Sequence, residues 1–309
     1  MRLPLSSFAT SLLLALSLSA SPATQVPHPD RALLLDAAAA GPHLFAVGAH
    51  GVILTSDDDG LQWRQQPSPV STTLTCISFA DTHRGWIGGH HGVLLLTRDA
   101  GASWQPSAAP TTPEDSLLDV LATPDGSVLA IGAYGLLLRS RDAGTSWQRL
   151  SAPSDDLHLN RISLAPSGTL LLAGEAGTLA LSHDFAETWQ LLATPYAGSF
   201  FGLLSLHDGQ LLAHGLRGHV FLGSAEGAHW SPSPLPGSGL LATAVELAPG
   251  KVIAAGNSSQ LYLSRDGGRS FAQGPSSELQ AVSEILVSPR GSLILVGDTG
   301  VRRLAPPSP

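Results

Sequence analysis

The chain has 309 residues, of which 43% are hydrophobic and 13% are charged, and it is rich in glycine and proline. Its formal net charge of −8 argues against nucleic acid or an anionic lipid surface as the main partner. The single cysteine, Cys76, excludes an intramolecular disulfide, and its position in an apolar run predicts a buried side chain.

Residues 1–23 have the pattern of a secretory signal peptide. Arg2 supplies the positive start, Ser11 to Leu18 an apolar core, and Ser21 to Ala23 small residues for cleavage. The apolar run is shorter than the roughly 20 residues that a membrane span needs, which disfavours a membrane anchor. We therefore expect an exported, periplasmic protein with no membrane insertion after cleavage, in which residues 24–309 form one folded domain.

An eight-residue motif, best preserved at Ser140 to Trp147, occurs six times and ends in an aromatic residue at intervals of 41 to 43. The hydroxyl and carboxylate groups accept hydrogen bonds from a tight turn, glycine permits positive φ, and the aromatic side chain packs against the preceding strand. This pattern predicts a structural hairpin staple. Its carboxylates and aromatics are Asp58, Trp63, Asp99, Trp104, Asp142, Trp147, Asp184, Trp189, Trp230, Asp266 and Phe271.

A second repeat, Gly-x-x-Gly, occurs between pairs of apolar runs and predicts a tight hairpin turn in each of seven copies, in one of which Ser259 replaces the second glycine after Gly256. In the second copy, strands are expected at Leu74 to Phe79, Gly85 to Gly88 and Val93 to Thr97, with a fourth beginning at Ser103. Four strands at a period of about 40 residues predict an all-β, seven-bladed β-propeller of four-stranded blades.

The last copy, Leu279 to Leu304, has three strands and would leave an unpaired edge. Residues Gln25 to Asp30 are expected to close the ring as its fourth strand. The alternative is a short last blade whose edge is protected by Pro306, Pro307 and Pro309.

The motif Ser/Thr-x-Asp-x-Gly-x-Ser/Thr-Trp is the Asp-box, or bacterial neuraminidase repeat. With four-stranded blades of about 41 residues, seven predicted blades and a signal peptide, the chain resembles the photosystem II assembly and stability factor family of exported propellers. The resemblance implies a non-catalytic assembly or accessory factor that binds a membrane protein complex. Asp-boxes also occur in sialidases and other glycosidases, and the basic patch associated with photosynthetic members has no clear equivalent here.

Propeller geometry places the Gly-x-x-Gly tips on the same face as the connectors between blades. These tips vary most between repeats, so they are the candidate binding face, although hairpin tips are also polar simply because they face water. The candidate residues are His50, His90, His91, Tyr134, Glu175, Arg217, Asn257 and Asp298.

Two other polar sets have structural interpretations. The histidines of the first two tips lack the further ligands of a metal site, so we expect no metal and no cofactor. Thirteen residues before each first glycine, a first-strand position nearest the channel holds Leu35, Cys76, Asp119, Arg161, Gly202, Thr243 and Glu284. There, Asp119 and Arg161 are expected to form an internal ion pair, with a channel ligand site as the alternative.

A sialidase would need an arginine cluster and a tyrosine nucleophile paired with a carboxylate. The chain has three tyrosines, Tyr262 lies in a third strand, and no insertion long enough to build a sugar cleft is present. We therefore expect no enzyme activity. As the family resemblance implies, we expect a binding or assembly factor for a membrane complex, such as a transport system, and we expect it to be a monomer. A carbohydrate-binding module or a glycosidase is the alternative.

Overall fold

The computed structural model describes residue 25, residues 28–154 and residues 156–305. The segment 1–23, interpreted as a signal peptide, lies outside these residues, as do Pro306, Pro307 and Pro309. The described chain forms seven antiparallel sheets. The first strand of each sheet contacts the first strands of the two neighbouring sheets, and the first and last sheets are also in contact. The seven sheets are therefore blades arranged in a ring around one axis. This is the predicted all-β, seven-bladed propeller.

Blades 1 to 3 each contain four strands in chain order. Blade 1 contains β1 (Leu34–Ala40), β2 (His43–Gly48), β3 (Ile53–Ser56) and β4 (Arg64–Gln66). Blade 2 contains β5 (Leu74–Phe79), β6 (Gly85–Gly89), β7 (Leu94–Thr97) and β8 (Gln105–Pro106). Blade 3 contains β9 (Leu117–Ala122), β10 (Val128–Gly132), β11 (Leu137–Ser140) and β12 (Gln148–Arg149).

Blades 4 to 6 repeat this order, and blade 7 has three strands. Blade 4 contains β13 (Leu159–Leu164), β14 (Leu170–Gly174), β15 (Leu179–Ser182) and β16 (Gln190–Leu191). Blade 5 contains β17 (Phe200–Ser205), β18 (Leu211–Gly215), β19 (Val220–Gly223) and β20 (Trp230–Pro232). Blade 6 contains β21 (Leu241–Ala248), β22 (Lys251–Gly256), β23 (Ser258–Ser264) and β24 (Ala272–Ser276); blade 7 contains β25 (Val282–Val287), β26 (Leu293–Gly297) and β27 (Gly300–Leu304).

In blades 1 to 5 the second and third strands are almost completely buried because both of their faces are covered by neighbouring blades. The apolar core is accordingly divided into clusters, most of which combine residues of two adjacent blades. One cluster, for example, joins Trp86 of blade 2 with Leu136 of blade 3. The fold therefore gains its stability at the interfaces between blades, where burial of apolar surface is the main favourable contribution.

The Asp-box turns form as the motif predicts. In blade 3, the Ser140 hydroxyl donates to Asp142 and accepts from the Gly144 N–H, both within 2.9 Å. Asp142 also accepts from the Ser146 N–H and hydroxyl. These hydrogen bonds, with that from Ser146 first, lower the pKa of Asp142 to about 2. The diverged copy in blade 5 retains part of this arrangement, because Ser224 accepts from the N–H of Ala228.

Blade 7 has no Asp-box among its described residues, and side chains join it to blade 1. Asp59, in the turn of blade 1, accepts hydrogen bonds from Ser292 at 2.7 Å and from Arg303 at 2.8 Å, both in blade 7. Ile294 and Val296 of blade 7 share an apolar cluster with strands β1 to β3 of blade 1. Blades 1 and 7 are therefore joined by an ion pair and by buried apolar contacts.

The predicted closing strand at Gln25 to Asp30 is wrong over its described part. Pro29–Arg31 forms a 3-10 turn beside β27, and in the described residues β27 pairs only with β26. Residues 26 and 27 lie outside the described residues. Proline at the start of this turn has fixed φ and no N–H to donate to a strand.

No helix in the described part of the chain is long and apolar enough to span a membrane.

Candidate functional site

The Gly-x-x-Gly tips and the connectors between blades lie on one side of the ring, which we call the tip face. The Gly135 N–H of blade 3 donates to the Leu157 carbonyl of the following connector at 2.9 Å. The Gly177 N–H of blade 4 donates in the same way to the Gly198 carbonyl at 2.8 Å. In blades 2 to 4 the tip is therefore hydrogen-bonded to the connector that leads to the next blade, so the tips and connectors share a face as the sequence predicts.

The opposite side, the Asp-box face, carries the staples and the turns between first and second strands. Within a blade, these two kinds of turn are joined by a backbone hydrogen bond. In blade 3, for example, the Ala143 N–H donates to the Gly126 carbonyl at 3.0 Å. The two faces therefore differ in kind. The Asp-box face repeats one motif, whereas the tip face carries a different pair of tip residues in each blade.

In five blades the second tip residue has a positive φ although it is not glycine. These residues are His50, His91, Tyr134, Ala176 and Arg217, with φ between 51° and 58°. The same conformation occurs in Asp-box turns, at Ala100 and Ala143, so it is a property of these tight turns rather than evidence of a site. Its consequence is that the second tip side chain points away from the blade, and all five are exposed.

The last two tips have other shapes. In blade 6, Gly256 pairs directly with Ser258 and β23 begins there, so Asn257 alone forms the exposed tip. This blade lacks the second glycine, which is the residue that allows the wider turn elsewhere. In blade 7, Asp298 and Thr299 form a two-residue connection between Gly297 and Gly300, and Asp298 is half-buried.

Three of the predicted residues become part of local networks. The Tyr134 ring lies edge-on to the His158 ring, with centroids 4.9 Å apart. His158 belongs to the connector between blades 3 and 4, and its N–H donates to Glu175 at 3.0 Å. His90, half-buried, lies 3.2 Å from the Ser116 hydroxyl. His158 was missed by sequence analysis because connectors do not repeat and give no periodic signal.

The tip histidines do not converge on a metal site. His91 lies 3.3 Å from the Pro113 carbonyl, whereas His90 contacts Ser116. In the described part of the chain, no group of three or more histidine, cysteine, aspartate or glutamate side chains is arranged to hold a metal ion.

The channel holds the ion pair predicted from the first-strand positions, with an additional partner. Arg161 of blade 4 lies 3.7 Å from Asp119 of blade 3 and pairs more closely with Glu284 of blade 7. Glu284 also accepts a hydrogen bond from the Thr243 hydroxyl of blade 6 at 2.6 Å. Arg161 thus connects carboxylates on opposite sides of the axis.

The channel residue of blade 1 is Asp36, and the predicted Leu35 is wrong by one position. Leu34 pairs with Gly48, fourteen residues later, whereas the equivalent Leu74 pairs with Gly89, fifteen residues later. The first hairpin is therefore one residue shorter, which moves every side chain of β1 by one position relative to a fixed count from the glycine. Asp36 is buried and accepts from the Ile77 N–H of blade 2 at 2.7 Å.

The channel carboxyls are strongly affected by burial. Burial raises the pKa of Asp36 to about 8, although Arg161 acts in the opposite direction. Burial also raises the pKa of Asp119 to about 6, again opposed by Arg161. Burial lowers the pKa of His214, beside the channel, to about 4. Cys76 is buried as predicted, and burial raises the pKa of its thiol.

Several clefts lie between blades on the Asp-box face. One of about 400 Å³ is lined by Arg98, Ser103 and Thr145, and another of about 500 Å³ by His183, His207 and Glu226. A smaller cavity of about 120 Å³ opens beside Arg161 and His214 in the channel. The clefts are shallow and open, whereas a site for a small substrate is normally a closed, largely apolar pocket.

Comparisons with known proteins agree with this architecture. Residues 61–239 match the family model described as photosynthesis system II assembly factor YCF48. The sequence matches none of the curated proteins with which it was compared.

Similar solved structures include two described as YCF48 and one described as a xyloglucanase. A structure described as YCF48 bound to D1 peptide is 21% identical over 91% of this chain and 95% of its own, with a TM-score of 0.73. YCF48 from Cyanidioschyzon merolae is 17% identical over 93% of this chain and 99% of its own, with a TM-score of 0.74. The GH74 xyloglucanase from Xanthomonas campestris is 15% identical over 89% of this chain and 52% of its own, with a TM-score of 0.71. At these identities the structures show a shared fold.

Proposed function

Because the chain belongs to the family of the photosynthesis system II assembly factor YCF48, we propose that it is a non-catalytic binding or assembly factor for a membrane protein complex. The tip face is its binding surface. The observation that carries this assignment is the contrast between the two faces: the side chains of the tip face differ from blade to blade on a support held by backbone hydrogen bonds. Variation on a rigid, repeated support is how repeat proteins acquire specificity for a partner.

A segment of a partner protein is the proposed ligand class. The family propeller described as bound to D1 peptide supports a peptide ligand for this chain as well. A broad, mostly polar face also suits an extended peptide or a protein surface better than a small molecule. We propose that the protein acts in the periplasm after export, on the basis of the pattern in residues 1–23, and that its partner is a subunit of a membrane complex such as a transport system.

The glycosidase alternative has less support from the residues. Tyr262 is only 5% exposed, and Tyr196 packs against the His219 ring with centroids 4.2 Å apart. In the described structure no tyrosine hydroxyl forms a hydrogen bond with a carboxylate, the pairing that a tyrosine nucleophile needs. The structural similarity to a xyloglucanase concerns the fold and carries no activity to this chain.

The test is chemical cross-linking in the native host, followed by solubilisation of the membrane and mass spectrometry of the proteins that co-purify. A tip variant combines His50→Asn, His91→Asn and Arg217→Asn, since asparagine tolerates positive φ better than most residues. A control variant carries Arg98→Asn, His183→Asn and Arg265→Asn on the Asp-box face, where all three side chains are exposed.

We expect the parent protein and the control variant to recover subunits of one membrane complex, and the tip variant to lose them. Thermal melting of all three proteins checks that each is folded. Recovery of the propeller alone from the parent protein would contradict the assembly role. Equal recovery by the tip variant would contradict the assignment of the tip face.

A further inference from the structure

Tyr134 differs from every other tip residue in exposing a large aromatic side chain. Its exposed fraction is 68%, and it is the one aromatic among the strongly exposed large hydrophobic residues of the described chain. An exposed aromatic residue with restricted motion is a frequent energetic centre of a protein interface.

Backbone hydrogen bonds hold this tip on both sides. The N–H of Ala133 donates to the Ser116 carbonyl at 3.0 Å, and the N–H of Gly135 donates to the Leu157 carbonyl at 2.9 Å. Tyr134 therefore lies between the connector that precedes blade 3 and the connector that follows it. Its position is fixed before any partner binds.

Side chains hold the ring as well. His158 lies edge-on to it at an interplanar angle of 84°, and Glu175 in turn contacts His158 through the backbone N–H at 3.0 Å and the ring Nδ1 at 3.5 Å. The Glu175 N–H donates to the His158 carbonyl at 3.0 Å, so blade 4 and the connector are locked together. An aromatic ring held in this way loses little conformational entropy on binding.

The surroundings of the ring are acidic. Glu114 and Asp156, in the two connectors that hold the tip, are exposed and form no ion pair with a described residue. Glu175 is half-exposed, and the nearby Asp115 is paired with Arg149 at 3.6 Å. The segments that hold the Tyr134 tip therefore carry an excess of negative charge, which attracts cations.

An exposed tyrosine ring and a carboxylate linked to it through His158 supply the two features that stabilise a bound ammonium or guanidinium group, namely cation–π contact and charge pairing. We propose that Tyr134 and Glu175 form a subsite for a lysine or arginine side chain in an exposed segment of the partner. This inference rests on the proposed binding function of the tip face and names the chemistry of the segment that it accepts.

The probe is a fluorescein-labelled heptapeptide of glycine and serine with two lysines, measured by fluorescence anisotropy at low ionic strength. Matched peptides carry norleucine or glutamate in place of lysine. We expect the lysine peptide to bind more tightly than both, with binding weakened about two- to fivefold by Tyr134→Leu and similarly by Glu175→Gln. Tyr134→Phe, which keeps the ring, retains binding, and so does His183→Asn on the Asp-box face.

Equal affinity for the lysine and norleucine peptides, or unchanged affinity in Tyr134→Leu, overturns the subsite. Cross-linking in the host separates this failure from failure of the assembly role. If Tyr134→Leu still recovers the partner while the peptides do not discriminate, the assembly role stands and the subsite is wrong. If the lysine peptide discriminates but the parent protein recovers no partner, the subsite stands and the assembly role is wrong.

Discussion

Arg161 faces Asp36, Asp119 and Glu284 in the channel, and its pKa is raised by Glu284 first and by the two aspartates. Replacing it by leucine leaves the carboxyls without a cation, and breaking a buried pair in this way is strongly destabilising. Because Arg161 is 36% exposed, we expect a loss of about 3 kcal/mol in the free energy of unfolding, measured with urea. Arg141→Leu, which breaks an exposed pair with Glu187, should cost less than about 1 kcal/mol. Equal losses in the two variants would contradict the role of Arg161.

The same carboxyls predict a dependence of stability on pH. Asp119 and Asp36 have folded pKa values of about 6 and about 8, above the ordinary value near 4 of an unfolded chain. The folded state therefore binds protons at these two carboxyl groups more tightly than the unfolded chain does. The stabilisation that results at low pH is lost as the pH rises from about 4 towards 8. Asp59 and Asp142, with pKa values of about 2, act oppositely and lose their contribution as the pH falls from about 4 to 2.

We expect the urea concentration at the unfolding midpoint to decrease as the pH is raised from 5 to 8. In Asp36→Asn the slope of this midpoint against pH should be shallower. The slope is the measurement, because the substitution also removes one acceptor for a backbone N–H and lowers stability at every pH. Asp142→Asn, whose carboxyl is ionised throughout this range, should leave the slope unchanged. A parent slope retained in Asp36→Asn would show that other groups are responsible.

At the scale of a single turn, two conditions favour glycine in the Asp-box, and they can be tested separately. One is the positive φ, and the other is the lack of space for a Cβ atom. Gly101 has a φ of 78°, and a Cβ added there would lie 2.5 Å from the Phe45 ring of blade 1. Gly168 lies outside the Asp-box, in the turn between β13 and β14 of blade 4. It has a similar φ of 86°, and no atom lies within 4 Å of a Cβ added there. Gly168→Ala should therefore cost about 1 kcal/mol from backbone strain, and Gly101→Ala about 1–3 kcal/mol more from the clash. Thermal and urea unfolding measure both, and similar losses would mean that the glycine serves the turn alone.

The sequence predicts the blades well because each repeat contains its own local signals. The Asp-box and the Gly-x-x-Gly turn fix the ends of strands within a few residues, as at Leu74–Phe79 and Leu117–Ala122. The position of Asp36 could not be obtained by counting, since one residue is missing from the first hairpin. His158 could not be found either, because it lies in a connector and acquires its position only when blades 3 and 4 meet.

Closure of the ring was the least predictable feature, because it depends on residues 230 or more positions apart. Asp59 and Arg303 are the main example. Asp59 follows the Asp-box aspartate, where blades 2 and 3 have Ala100 and Ala143, so it departs from the repeat at the blade that meets the end of the ring. The same position holds Phe185, Glu226 and Gly267 in blades 4 to 6, so the variation alone gives no signal specific to blade 1.

This arrangement predicts where the ring opens first. Asp59→Ala gives blade 1 the residue found in blades 2 and 3, so the turn should still form while the contacts with Ser292 and Arg303 are lost. We expect faster amide hydrogen exchange in β1, β2, β26 and β27, because local opening occurs where interblade contacts are weakest. Blades 3 and 4 serve as the internal control and should keep the exchange rates of the parent protein. Arg303→Met removes the same ion pair from the other side and should accelerate exchange in the same strands. A uniform increase over all seven blades would instead mean that the ring unfolds as one unit and that the Asp59 contacts are not a separate seam.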